Sequence, residues 1–333
     1  MRTDDKKVDR AQIIKREILK YLSKDIQNVL LLIEEENLNS IEEIRIRANK
    51  PIMIQNYSGE WFVNSKGKLK KSILNRDLFI VKHDDILKTF LMLCENSIYA
   101  FQDEIINGFI TIKGGHRIGI SGRVILDGSS IKNIKDVSGL NVRISGEVPG
   151  CAGKILRHII KENDVLNTMV ISPPQCGKTT LLRDIARYLS EGISEMGFAG
   201  KKVAIVDERS EIAACFKGIA QNDVGIRTDV LDGCPKNLGM LMMIRAMSPQ
   251  VIITDEIGSK GDCDALINVV NAGVKIITSA HGYSISDLKT RREVLKIMEQ
   301  KLFERFIVLN NSKGPGTVEE IIDGKTMEVK FKK

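Results

Sequence analysis

Two textures alternate along this chain of 333 residues, and each predicts a different kind of element. Apolar residues at Ile13, Ile14, Ile18, Leu19, Leu22, Ile26, Val29 and Leu30 recur at helical spacing, predicting one or two amphipathic helices after a mobile tail at residues 1–10. From Ile44 the pattern shortens to IRIRA, PIMIQ and WFVNS, punctuated by Pro51 and Ser58-Gly59, which predicts a small antiparallel sheet. Helical spacing returns over 83–98. FITIKGG, HRIGISGRVIL and LNVRISG then read as strands, broken by Gly114-Gly115 and by the polar stretch 127–138. Residues 1–147 therefore read as an α+β domain.

Pro149-Gly150 and the small residues Ala152 and Gly153 mark a linker into a second domain, 148–333. There, β-branched runs alternate with helical spacing, as in a parallel sheet with crossover helices. The strands expected are TMVIS, KVAIVDE, VIITDE and VKIITSA, each ending in polar residues, followed by a hairpin of FIVLNN and TVEEIID around Lys313-Gly314-Pro315-Gly316. The fold class expected is α/β, with a mostly parallel central sheet of the P-loop type behind a smaller α+β domain. Ligands in such sheets lie beyond the carboxyl ends of the strands.

The polar strand ends carry specific chemistry. Ser172-Pro173-Pro174-Gln175-Cys176-Gly177-Lys178-Thr179-Thr180 joins the first of these strands to a helix whose apolar face is Leu181, Leu182, Ile185, Ala186 and Leu189, ending at Gly192. Outward-pointing amides at a helix start, followed by Gly-Lys-Thr, suit a nucleotide phosphate cradle: Lys178 neutralises β/γ charge and Thr179 ligates Mg²⁺. The motif's first glycine is replaced by Ser172, which the following prolines bias toward an extended backbone. The run VIITDEIG is apolar until Asp255-Glu256, the pattern in which Asp255 holds Mg²⁺ through a water and Glu256 polarises the attacking water. A further end supplies Asp207, Glu208, Arg209 and Glu211, with Glu208 the alternative base; another supplies Thr278, Ser279 and His281, the last a candidate γ-phosphate sensor. Cys176 lies beside a helix start and Lys178, which favours a thiolate and raises the question of redox control. The segment 225–236 is polar enough for a pore or interface loop, but its role does not follow from spacing.

Composition narrows the class. With 43% hydrophobic residues the chain can bury a sizeable core, and it has no apolar run of membrane-spanning length and no signal-peptide core, so a cytoplasmic location is expected. Six separated cysteines without a Cys-x-x-Cys pair argue for reduced thiols rather than a zinc site or disulfide framework. The net charge of +7 is spread along both halves and aromatics make up only 5%, so no nucleic-acid partner is expected.

The strings GGHRIGISGR, PPQCGKTT, VDERSEI, DVGIRTDVLDGCPK, IRAMSPQVIITDEIG, SAHG and GPGTVEEI resemble, in order, those of the stage III sporulation protein AA family. That family is similar to the type II and type IV secretion motor ATPases, with a RecA-like P-loop core of the AAA+ kind. The resemblance implies an ATP- and Mg²⁺-dependent ATPase working as a homo-oligomer, a hexameric ring, on the mother-cell side of an engulfed forespore. There it would serve inner-membrane proteins of a channel between the two cells and associate with the membrane peripherally through them. It also implies an arginine reaching the γ-phosphate. Arg117, Arg123 and Arg143 are candidates in the first domain; Arg209, Arg227 and Arg245 are candidates in the second. Two other classes share the P-loop core: a nucleic-acid-dependent translocase or helicase, and an assembly scaffold that binds ATP with little turnover. The guanine-specifying Asn-Lys-x-Asp and the cassette signature Leu-Ser-Gly-Gly are both absent.

Overall fold

The computed structural model describes residues 9–74 and 77–332. Of the tail expected over 1–10, residues 1–8 lie outside this range. Asp9 and Arg10 belong to a helix instead: the Asp9 carboxylate accepts the Gln12 N–H at 3.0 Å, capping helix α1, Arg10–Ile13. The chain divides into two compact units, the first ending at Gly146 and the second beginning at Glu147.

In the first unit the amphipathic stretch folds as several short pieces rather than one or two helices. A π turn and a 3₁₀ turn follow α1, and then come α2 (Lys24–Leu31) and α3 (Glu35–Asn39). Their apolar faces, including Ile14, Ile18, Leu22, Ile26 and Leu30, are buried. Strands β1 (Ile41–Arg47), β2 (Met53–Asn56), β3 (Gly59–Val63) and β4 (Leu69–Lys70) lead to helices α4 (His83–Leu93) and α5 (Gln102–Ile106). Strands β5 (Phe109–Ile112), β6 (His116–Asp127) and β7 (Ser130–Arg143) complete one seven-stranded antiparallel sheet, ordered β4-β3-β2-β1-β7-β6-β5.

The polar stretch 127–138 is not a break. Apart from the tight turn at 128–129 it is strand, in the β6–β7 hairpin whose pairing runs from Arg117↔Arg143 out to Asp127↔Ser130. Residues 121–136 are largely exposed on both faces of this ribbon, so no buried face imposes apolar alternation, and the strand does not show in the pattern.

The second unit opens with α6 (Leu156–Ile159) and a minimal hairpin of β8 (Ile160–Lys161) and β9 (Asp164–Val165). An α/β sandwich follows. Its elements are β10 (Thr168–Ser172), α7 (Lys178–Glu191), β11 (Val203–Asp207), β12 (Thr228–Asp232), α8 (Lys236–Met247) and β13 (Val251–Thr254). Next come α9 (Lys260–Asn271), β14 (Lys275–His281), α10 (Ile285–Lys289), α11 (Arg292–Glu299), β15 (Arg305–Asn310), β16 (Thr317–Asp323) and β17 (Val329–Lys332). The sheet order is β12-β11-β13-β14-β10-β15-β16-β17, parallel from β12 to β15 and antiparallel beyond. Alternation along each central strand sorts residues between two cores. Val170, Ile205, Ile253, Ile277 and Ile307 pack with the apolar face of α7, whereas Met169, Val206, Ile252, Ile276 and Phe306 pack with side chains of α8, α9 and α11. Burying each such side chain stabilises by roughly 1.5–3 kcal/mol. This double anchoring fixes where the polar strand ends emerge.

Candidate functional site

The carboxyl ends of β10, β11, β13 and β14 bring most of the expected second-unit residues into one cluster. The parallel register sets Ser172 opposite His281, and the Ser172 carbonyl accepts the Gly282 N–H at 3.2 Å. Ser172 is fully buried at the end of an extended strand, and its hydroxyl donates to the Pro173 carbonyl at 2.8 Å. The left-handed backbone of the loop falls later, at Gln175 (φ 59°) and Gly177 (φ 80°). A non-glycine at 172 therefore meets no conformational penalty, and glycine is required at 177, where an added Cβ would also stand 3.0 Å from the Gly316 nitrogen. Gly177 is the N-cap residue of α7, so Lys178, Thr179 and Thr180 form the helix's first turn. The loop is braced by the β15–β16 hairpin: the Gly316 N–H donates to the Cys176 carbonyl at 2.8 Å, and the Cys176 side chain is buried.

Lys178 Nζ donates to the carbonyls of Ser172 and Pro173 at 3.2 and 3.4 Å and lies 2.8 Å from His281 Nδ1. An ammonium has no acceptor, so Nδ1 must accept and the imidazole proton sits on Nε2. That Nε2–H faces Glu256 Oε1 at 2.9 Å. The result is a directed chain, Lys178 to His281 to Glu256. Burial pulls the Lys178 pKa below its usual value, and Glu256 opposes the shift. Arg209 stands 3.9 Å from the other Glu256 oxygen.

Asp255 and Glu208 end neighbouring strands and share a partner that the sequence did not single out. Lys236, the first residue of α8, is buried; its ammonium pairs with Glu208 and stands 3.5 Å from Asp255 Oδ1. That distance is at the limit of hydrogen bonding, and the buried oxygen makes no hydrogen bond. Burial raises the Asp255 pKa against the pull of Lys236, and nearby Glu211 raises it further. Thr278 braces the same turn by donating to the Asp255 carbonyl at 3.1 Å. Segment 225–236 is thus an edge strand plus the start of α8, with Lys236 carried into the cluster.

Asp207 is differently employed. Its carboxylate accepts the N–H groups of Glu211, Ile212 and Ala213, each at 2.9 Å. Burial nevertheless pushes its pKa up to about 6. Arg183 of α7 grips the same loop from the other side, donating to the carbonyls of Ile212 and Glu211. This brace was not read from the sequence; the only signal was an arginine close to the apolar face of α7.

The arginine candidates separate by their partners. Arg227 donates to the carbonyls of Ser190 and Glu191 at the end of α7. Arg123 pairs with Asp136 on the exposed part of the β6–β7 hairpin. Arg117 and Arg143 are cross-strand neighbours in the first unit, Arg117 also stacking 3.4 Å over Phe109. Arg245 is exposed on α8.

A parallel sheet between helical layers, with a strand–loop–helix turn against acidic neighbouring strand ends, defines the RecA-like fold of the secretion ATPases. The chain superposes on the Legionella pneumophila ATPase DotB with a TM-score of 0.55 and 14% identity, covering 90% of this chain and 79% of that one. Against the pilus retraction motor PilT with bound ADP the TM-score is 0.52 at 12% identity, covering 88% and 77%. In sequence, a family model described as "Sporulation stage III, protein AA" matches residues 12–329. The stage III sporulation protein AA of Bacillus subtilis is 42% identical over 309 residues, 92% of this chain and 94% of that protein. The chain belongs to the stage III sporulation protein AA family. Among the described residues no helix is long and apolar enough to cross a membrane.

Proposed function

We propose that this protein is an Mg²⁺-dependent ATPase of the secretion-motor type, working as a hexameric ring on the mother-cell side of the forespore. It would energise the assembly or operation of a channel complex through inner-membrane proteins, to which it binds peripherally. The observation that carries the reading is the Lys178–His281–Glu256 chain beside a buried Asp255 oxygen that lacks a hydrogen bond. The loop amides of 175–179 and Lys178 hold the phosphates. Thr179 and Asp255 suit Mg²⁺, Asp255 through a water, since the bare oxygen offers the acceptor that a hydrated cation needs. Mg²⁺ held there would supply charge neutralisation for the transferring phosphate.

Nucleotide entry changes the partners of Lys178. A γ-phosphate oxygen is a stronger acceptor than a ring nitrogen, so Lys178 leaves His281 for the phosphate. His281 then reports the phosphate's presence, and Glu256 turns to orient the attacking water. Glu208, engaged by Lys236, is the less available base. Nucleotide binding and turnover measured on two variants test this. Lys178→Ala should lose nucleotide binding. Glu256→Gln should bind ATP with turnover reduced by at least about a hundredfold. Normal hydrolysis by Glu256→Gln would move the base elsewhere, with Glu208 next.

A further inference from the structure

Lys236 is hard to explain by the helix that carries it. A cation in the first turn of α8 opposes the helix dipole, and a buried lysine loses solvation. Its position is set by packing: an added Cβ at Gly239 would lie 2.5 Å from Val206 Cγ1, so this glycine lets α8 press onto β11. From there the ammonium reaches across the ends of β11 and β13 to Glu208 and Asp255. Two carboxylates on adjacent strand ends would repel if left alone, and one ammonium between them leaves a net charge of about −1.

We propose that Lys236 is a positioning residue of the divalent-metal site, holding Glu208 and Asp255 as a partly neutralised pair without nucleotide and yielding Asp255 when metal and nucleotide enter. This rests on the ATPase reading above. The ammonium stands near the oxygen that a metal-bound water needs, without making a hydrogen bond to it. It therefore competes with the cation electrostatically while keeping the carboxylates in place. Because Lys236 opens α8, metal entry is felt at that helix, whose Leu238 and Met242 are exposed. A purely structural salt bridge would tie α8 to the sheet with no bearing on metal affinity.

Binding of a fluorescent ADP analogue, followed while Mg²⁺ is titrated, separates these roles. Lys236→Met keeps the length of the side chain and removes its charge. Its half-saturating Mg²⁺ concentration should fall by roughly tenfold relative to wild type, because the ammonium no longer offsets part of the carboxylate charge. An equal or higher midpoint overturns the inference while leaving the ATPase reading intact. A wild-type measurement decides the matter even if the variant fails to fold. Amides 238 and 239, which bond to the Pro235 carbonyl, should exchange faster with Mg²⁺ and ADP than with ADP and chelator. Identical exchange in the two states also overturns the inference. If wild type binds no nucleotide in any condition, the ATPase reading fails and this inference falls with it.

Discussion

At the scale of single residues, burial decides which polar groups carry chemistry and which hold the backbone. His116 illustrates the second kind. Its Nδ1 accepts the Ser145 N–H at 3.1 Å, so Nε2 carries the proton toward Glu17 Oε2, also at 3.1 Å. Burial lowers its pKa from 6.5, Lys20 adds to the shift, and Glu17 opposes it without prevailing. The sign follows from linkage: below pH 6.5 the unfolded chain takes up a proton that the folded chain refuses. Stability present above that pH is therefore lost as pH falls toward the depressed folded value. Urea denaturation should show wild type losing roughly 1 kcal/mol per pH unit in this window relative to His116→Gln. Parallel pH profiles for the two proteins would contradict the assignment. The same competition explains why Asp207 ended as a loop brace: three backbone N–H groups engage both of its oxygens.

At the scale of elements, the strand–loop–helix turn depends on the distant hairpin tip between β15 and β16. Gly177→Ala brings a left-handed penalty and crowds the Gly316 nitrogen. We expect a stability loss of about 1–2 kcal/mol and faster exchange of the Gly316 amide. A protected Gly316 amide in this variant would show that the hairpin does not brace the loop. The turn itself was legible because GKT follows a β-branched run and precedes an amphipathic face. The four central strands were legible because both of their faces are buried, which forces continuous apolar runs. Edge strands lack that demand. β12, TDVLD, carries two acids at the sheet edge and reads as a loop, and all four residues of β17 are exposed. Lys236 was missed for a related reason: its two carboxylate partners lie far away in sequence, and only the packing of α8 on β11 brings them together.

At the scale of the molecule, the cores are separate. The buried apolar residues of one core lie between Ala11 and Val142, and those of the other two lie between Ala152 and Ile322. A unit with its own core should fold alone, so residues 147–333 expressed by themselves should unfold cooperatively and still bind nucleotide. Turnover is a separate matter, because phosphoryl transfer gains from a cation reaching the γ-phosphate. Within the second unit Arg227 is spent on the carbonyls ending α7, and Arg209 stands beside Glu256. Arg209 is the candidate that already stands within the cluster, so Arg209→Ala in the full chain should keep ATP binding while losing about a thousandfold in turnover. Unchanged turnover in this variant would move the role to another of the candidate arginines.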